Sequence, residues 1–552
     1  MNLAATRSDR VARWLVLALA LFFALTFHTG TWESGDEDRY YTLGQALHRG
    51  WGFVNAEQPE HAPEIITPPG YPALIAAAMA VFGEDAQRIK WTGGLYLVLS
   101  LLVIHALCRR LWPGQPLPAH ATFLLGTCSV SLLAFSGALM ADLPGLLLAY
   151  LALWLHLRAP APPSVRTALL VGFLAGLAYL CRAAAVALIG ALALDLLVRR
   201  AWRPLLGLLA GCALAAAPWW YRNAVLLHVP DQYITYAVPP GTGLPGLIQL
   251  LAEETVRDLP VFLRQLVGEH FYRLFGDAGL LDRLGLGGLS DPVRWIFLAV
   301  VAAGWLVRLR RPGVLEYFFP AHLLLISAYP RPFYDTNYLF PVLPLSAYYF
   351  VTAVAAAGDA WARRGTGPLA RRVPATLYAG AAAYALLTAL LAGLVHGRNE
   401  WRMRDYGPWD AARYRHIGGT DYEDWIRYVE AGGWIRSNTA PETLVASRKP
   451  KHTFVFADRR GWRYDLPHEV GCTNAWEAMI KYPQVIFIED GFAPSLTTFN
   501  AYGNARVNVL QPLMEAHRAE LELLHETAAP ATRVWRVRPT AAPPAAAVPA
   551  PQ

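Results

Sequence analysis

"WLVLALALFFALTFHTGTWESGDEDRYYTLGQALHRG", residues 14–50, decides how the rest of the chain is read. Its first part, Trp14 to Phe27, is apolar almost throughout and approaches the length of a membrane span. Its second part sets Asp36, Glu37 and Asp38 directly beyond that run and follows them with Tyr40 and Tyr41. Arg7, Arg10 and Arg13 precede the run and no clear small-x-small cleavage site follows it, so it reads as a retained anchor. The three acids then lie just outside a bilayer.

The same reading extends along the chain. Its 552 residues are 55% hydrophobic and 16% charged, where soluble domains carry roughly a quarter charged residues. Apolar runs of roughly 17–25 residues recur about eleven times, near 12–29, 91–108, 119–138, 143–158, 166–181, 183–199, 204–221, 292–307, 314–329, 338–357 and 375–396. With the N-terminus in the cytoplasm, alternation puts Arg109-Arg110, Arg199-Arg200, Arg308-Arg310-Arg311, Arg363-Arg364 and Arg371-Arg372 on the cytoplasmic side. That placement accounts for the net charge of +7 and argues against nucleic acid as a partner. An odd number of spans leaves the residues beyond 397 outside. Four of the five cysteines fall within apolar runs, with Cys472 in a polar region, so there is neither a disulfide framework nor a Cys/His metal spacing.

The expected fold class is a polytopic α-helical membrane protein with a small C-terminal α/β soluble domain. Residues 1–396 form the membrane domain with outer loops 30–90 and 222–291, residues 397–538 the soluble domain, and the low-complexity residues 539–552 a disordered tail. In the first outer loop, residues 36–50 read as an amphipathic helix, with Tyr40, Leu43, Ala46 and Leu47 on one face suited to the membrane interface. "PPGYPALIAAAMAVFG" follows as a short apolar helix, re-entrant or interfacial. "LIQLLAEETVRDLPVFLRQLVGEHFYRLFG" is an amphipathic helix, either seated in the interface or closing as a lid. In the tail, "TLVAS", "HTFVFAD", "QVIFIED" and "TRVWRVR" read as strands, and "EAMIKY" and "LMEAHRAELELLHE" as helices. "DYEDWIRYVEAGGWIRSN" reads as a helix interrupted at Gly432-Gly433.

Asp36-Glu37 with Tyr40, then Ala46-Leu47, Gly50 and Gly52, then Pro69-Gly70-Tyr71-Pro72, resembles the GT-C superfamily of membrane glycosyltransferases. The branch it resembles contains the protein O-mannosyltransferases and the lipid A aminoarabinose transferase. Further matches follow in order: Asp142 at the start of a span, Arg182 at a helix junction, "APWWYRN" with Pro218, Trp219, Arg222 and Asn223, and "YDTNYLFPVLPLSAYY" with Tyr338. The likeness covers residues 10–360.

The resemblance implies an inverting transfer of a sugar from a polyprenyl-phosphate donor to a glycan, lipid or protein acceptor, at the outer face of a bacterial inner membrane. A hydroxyl nucleophile needs a carboxylate base, for which Asp36 is the candidate with Glu37 beside it. The leaving phosphate needs fixed cations, for which Arg182, Arg222 and Arg331 are the candidates. Asp142 is the second acid, and Tyr40, Tyr71, Trp219, Asn223 and Tyr338 line the donor or substrate groove. Blander roles stand beside these: Asp142 as a helix cap with Pro144, Arg222 on the last carbonyls of its helix, Arg182 snorkelling. No cofactor is certain; a divalent metal could be held by Asp36 and Asp142, with His61 as a further ligand. A transporter or flippase is the rival from another class, although the middles of the spans are almost free of charge. A non-catalytic envelope assembly protein is the second rival.

Overall fold

A computed structural model describes residues 3–28, 36–229, 242–275, 279–329, 335–363, 369–406, 410–413, 423–482, 484–492 and 505–538. Arg331 and the tail 539–552 lie outside the described residues. Contacts divide the chain into two units, one comprising Met1–Thr29, Ile65–Leu74 and Gln87–Glu400, the other Gly30–Glu64, Ile75–Ala86 and Trp401–Gln552.

In the first unit every expected apolar run carries helix. The segments are Leu3–Thr26, Ala86–Leu111, Pro116–Thr127 with Val130–Ala134, Asp142–Arg158, Val165–Cys181, Val186–Val198, Trp202–Tyr221, Ser290–Arg308, Val314–Ser327, Leu343–Ala362 and Leu369–Arg402. Among the described residues four helices are by themselves long and apolar enough to cross a membrane, or five when the bent pair Pro116–Thr127 and Val130–Gly137 is taken as one span. The helix Leu3–Thr26 shows how such a segment divides its faces. Ala20 and Phe23 are buried against protein, while Trp14, Leu15 and Leu25 are more than 60% exposed, as a lipid-facing surface requires.

Helix–helix contact in this unit depends on missing side chains. Gly172 and Gly176 on one helix pack against Leu208, Cys212 and Ala215 of another, whose Gly207 and Gly211 pack back against Val165, Ala168, Leu169 and Phe173; each helix carries one small-xxx-small pair. A Cβ on Gly172 would collide with the Leu208 carbonyl, and one on Gly176 would lie 2.8 Å from Ala215 Cβ. The spacing is legible in "GFLAG" and "GLLAG".

The bent span is held at its break. The two halves meet at 67° around Cys128-Ser129. Ser129 Oγ accepts from Leu132 N at 3.1 Å and donates to Glu269, and Ser131 Oγ donates to the same carboxylate at 2.9 Å. The Leu125 carbonyl, left without a helical partner by the break, accepts from His270 Nδ1 at 2.9 Å, and His270 Nε2 lies 2.7 Å from Ser346 Oγ. Glu269 and His270 end the helix Leu244–His270. That helix was expected in the interface or as a lid; its last turns, with Phe262, Leu266 and Val267, are instead buried in the core.

The second unit is a mixed α/β structure. Its strands β1 (Leu444–Ser447), β2 (Gly461–Arg463), β3 (Val485–Glu489), β4 (Leu521–Glu526) and β5 (Arg533–Val537) pair in the order β2-β1-β3-β5-β4. β1 runs parallel to β2 and β3, while β5 runs antiparallel to β3 and β4. Three expected strands appear. "HTFVFAD" is instead the helix Pro450–Ala457, with Pro at its first position and apolar residues buried all round. "LELLHE", expected as helix, is the edge strand β4. Gly432 does not interrupt its helix, which runs unbroken from Glu423 to Asn438. A Cβ there would lie 2.7 Å from Phe456 Cβ, so the glycine admits a neighbouring helix.

The segment 36–64 packs within this same unit. The helix Glu37–His48 buries nine of its twelve residues, Glu37, Asp38, Tyr40, Tyr41, Thr42, Leu43, Gly44, Gln45 and Ala46. Ala46 packs with Ala56 and Phe454, so the face expected to lie on a membrane is covered by protein. Ionic contacts add to this: Asp38 Oδ2 to His452 Nδ1 at 2.6 Å and Glu57 Oε1 to Lys451 Nζ at 2.8 Å. Glu84 accepts from Arg49 through both carboxylate oxygens, at 2.7 and 2.6 Å, and from Gln45 Nε2 at 2.6 Å.

Candidate functional site

In the first unit Asp142, Arg182 and Tyr338 converge on one cavity. Asp142 is the first residue of the helix Asp142–Arg158, and Ala141 stands at the cap position. Its carboxylate meets Arg182 instead, Oδ1 to Nη2 at 3.2 Å, with the Asp142 side chain only 3% exposed. Arg182 sits in an extended conformation between Val165–Cys181 and a 3₁₀ turn, where the chain leaves one helix and re-enters the next. Its guanidinium lies 4.6 Å from the centre of the Tyr338 ring, within cation–π range.

The cavity measures about 30 Å³ and is bounded also by His322, Asn337, Phe318 and Phe340. That volume takes a water-sized group, such as one phosphate oxygen, and not a sugar ring. His322 and Asn337 were not singled out from the sequence. His322 Nε2 donates to the Tyr338 carbonyl at 2.8 Å. Neither His322 Nδ1 nor Asn337 Oδ1 has a hydrogen-bond partner among the described residues. His322 lies within the apolar run 314–329 and Asn337 just before the run 338–357, so the signal was a buried polar residue inside or beside an apolar run.

Two close approaches fix Arg182. A Cβ on Gly145 would come 3.3 Å from Arg182 Cβ, and one on Gly70 would come 2.6 Å from the Leu180 carbonyl carbon. Pro69-Gly70-Tyr71-Pro72 therefore packs directly against the helix end that presents Arg182, with Tyr71 itself 1% exposed.

Arg222 does not line this cavity. It begins a π-helical turn, Arg222–Leu226, after the helix Trp202–Tyr221, and its Nη1 donates to Asn223 Oδ1 at 2.7 Å. Asn223 Nδ2 donates to the Ile65 carbonyl at 3.3 Å, and the guanidinium lies 5.5 Å from the Trp219 ring centre. Arg222, Trp219 and Asn223 thus form a second small cluster in the same unit.

Asp36, Glu37 and Tyr40 belong to the second unit. Asp36 is exposed at the cap position of its helix and makes no side-chain capping bond, while Glu37 and Tyr40 are buried. His61, in the same unit, stacks on Trp51 with ring centres 4.6 Å apart. Among the described residues no three His, Cys, Asp or Glu side chains are grouped so as to hold a metal ion.

The membrane helices and the mixed α/β unit define a GT-C-type fold, that of a polytopic membrane protein. Residues 66–221 match the family described as dolichyl-phosphate-mannose-protein mannosyltransferase, a stretch that includes Tyr71, Asp142, Arg182 and Trp219. The chain is similar to ArnT from Cupriavidus metallidurans bound to undecaprenyl phosphate, with a TM-score of 0.51, 15% identity, and 96% of this chain and 98% of that chain covered. It is similar to ArnT from Cupriavidus metallidurans in the apo state with a TM-score of 0.54, 15% identity and the same coverage, 96% and 98%. No curated protein sequence matches it.

Proposed function

We propose that the protein is an integral-membrane glycosyltransferase that moves a hexosyl or pentosyl group from a polyprenyl-phosphate donor to an acceptor, with inversion. The observation that carries this reading is the Asp142–Arg182–Tyr338 cavity, in a fold shared with an ArnT that binds undecaprenyl phosphate. As the glycosidic bond breaks, negative charge grows on the phosphate. A guanidinium already oriented stabilises that charge without reorganising at the moment of reaction. Asp142 fixes the direction of the guanidinium, whose planar fork suits a phosphate.

Asp36 is assigned as the general base that takes the proton from the acceptor, with Glu37 beside it. Its exposure supports access by an acceptor. Arg222 and Arg331 are assigned as further cations for donor phosphate, and Tyr40, Tyr71, Trp219 and Asn223 as groove residues. The arginine clusters support a bacterial inner membrane with a cytoplasmic N-terminus, which puts 397–538 on the extracytoplasmic side.

The test uses the full chain in lipid discs with a panel of polyprenyl-phosphate sugars, following release of free polyprenyl phosphate. Release by the wild type that Asp36→Asn and Arg182→Ala both lose is the expected result. Lipid binding or crossing without donor consumption would replace the enzyme with a transporter.

A further inference from the structure

The sheet of the second unit contains a topological switch point. β1 leads through the helix Pro450–Ala457 to β2 on one side, whereas the chain leaving β3 reaches β4 and β5 on the other. In parallel sheets the crevice outside the carboxyl ends of two such strands is where ligands bind. The residues that emerge there are Arg448 and Lys449 after β1, and Asp490 and Phe492 after β3.

Their side chains converge with two others. Lys449 Nζ lies 4.9 Å from the Trp425 ring centre and 5.7 Å from that of Phe492. The two rings pack edge to face at 5.1 Å, and Trp425 lies 5.0 Å from the His452 ring. Arg448 sits behind them, 4.9 Å from the Phe492 ring centre and 3.1 Å from Asp490 Oδ1. Trp425, Lys449 and Phe492 are only half-buried, so the crevice opens to solvent.

Three features call for a ligand. Among the described residues no carboxylate is ion-paired with the Lys449 ammonium. Asp490 Oδ2 and His452 Nε2, on side chains 1% and 4–5% exposed, have no hydrogen-bond partner among the described residues. The helix Pro450–Ala457 also starts at the crevice, and its first N–H groups carry the positive end of its dipole. Burial and the neighbouring Arg448 push the Lys449 ammonium below its ordinary range, a cost that a bound anion relieves.

We propose that this crevice binds a phosphorylated sugar, with Lys449, Arg448 and the helix N-terminus taking the phosphate. Trp425 and Phe492 flank the ring, and Asp490 Oδ2 and His452 Nε2 take hydroxyl groups. The site lies wholly in the soluble unit and does not depend on transfer chemistry in the membrane unit.

The experiment is calorimetric titration of the full chain in lipid discs with glucose 1-phosphate, inorganic phosphate and methyl glucoside. Saturable binding of glucose 1-phosphate, weaker binding of phosphate and weakest binding of the neutral glycoside are expected. Lys449→Ala weakens glucose 1-phosphate by at least about tenfold, Lys449→Arg restores most of it, and Arg182→Ala leaves it unchanged. Wild-type affinity in Lys449→Ala, loss in Arg182→Ala, or no saturable binding at millimolar concentration overturns the site. Equal affinity for inorganic phosphate overturns its assignment to a sugar.

Discussion

Arg182, in the extended link between a helix and a 3₁₀ turn, meets Asp142 at the start of another helix at 3.2 Å, and its guanidinium lies 4.6 Å from the centre of the Tyr338 ring. A cation held from both sides has a fixed direction before any ligand arrives. Arg182→Ala should lower donor turnover by about 10²–10³-fold, the range for loss of one preorganised group on a developing charge. Arg182→Lys should recover little of it, because an ammonium cannot reproduce the planar fork. Asp142→Asn keeps a hydrogen-bond acceptor and should be milder than Asp142→Ala. Turnover, measured with the melting temperature of each variant, checks the series.

Gly145 and Gly70 should fail in different ways. Alanine at 145 places its Cβ 3.3 Å from Arg182 Cβ, a tight side-chain contact that displaces the arginine. Alanine at 70 places its Cβ 2.6 Å from the Leu180 carbonyl carbon, where only backbone can move. Gly145→Ala should weaken donor binding with a small change in melting temperature. Gly70→Ala should lower the melting temperature itself, by several degrees for about 1–3 kcal/mol of overpacking.

The break in the bent span rests on His270. Removing its ring leaves the Leu125 carbonyl buried without its donor, which costs about 1–3 kcal/mol. His270→Ala should therefore melt earlier in detergent than the wild type. Glu269→Gln should melt closer to it, since the amide oxygen still accepts from Ser131. Equal melting of His270→Ala and wild type would remove the clasp.

Asp38 gives the second unit an acid limb. Burial raises its carboxyl, but His452, with Lys451 and Arg39, outweighs that and holds it below the ordinary 3.8. A depressed carboxyl contributes stability that is fully present above the unfolded value and is lost as pH falls through the lower folded one. Asp38→Asn should thus destabilise the unit at neutral pH and flatten its loss of stability in acid. Limited proteolysis of the full chain across that range reads both effects.

The helical part of the fold was legible because a bilayer permits few alternatives: every long apolar run must satisfy its backbone internally. Asp142, Arg182 and Tyr338 were legible as polar or aromatic residues at span ends. His322 was not, because one histidine inside "VLEYFFPAHLLLIS" looks like any buried histidine until Tyr338 is folded beside it. The soluble unit was read less well. "HTFVFAD" alternates too little to be an exposed strand, and as a buried helix it has no amphipathic period to detect. The helix Glu37–His48 has an apolar face suited to lipid, and Phe454, which helps to cover it, comes from beyond residue 400.

That last relationship has a bearing on biogenesis. Asn55 accepts from Lys451 across 396 residues, and the Pro59 carbonyl accepts from Arg460 across 401. At a synthesis rate of 5–20 residues per second, the segment 36–64 waits roughly 20–80 s before its partners exist. During that interval Leu43, Ala46 and the buried carboxylates of the helix have no folded surface to meet. The order of events is therefore imposed by the chain: the membrane helices insert first, and the unit holding Asp36 closes last. A stalled or truncated product would retain Arg182 and Asp142 without a folded unit around Asp36. Incomplete chains of this protein are thereby expected to be inert in the membrane until the final strand β5 is made.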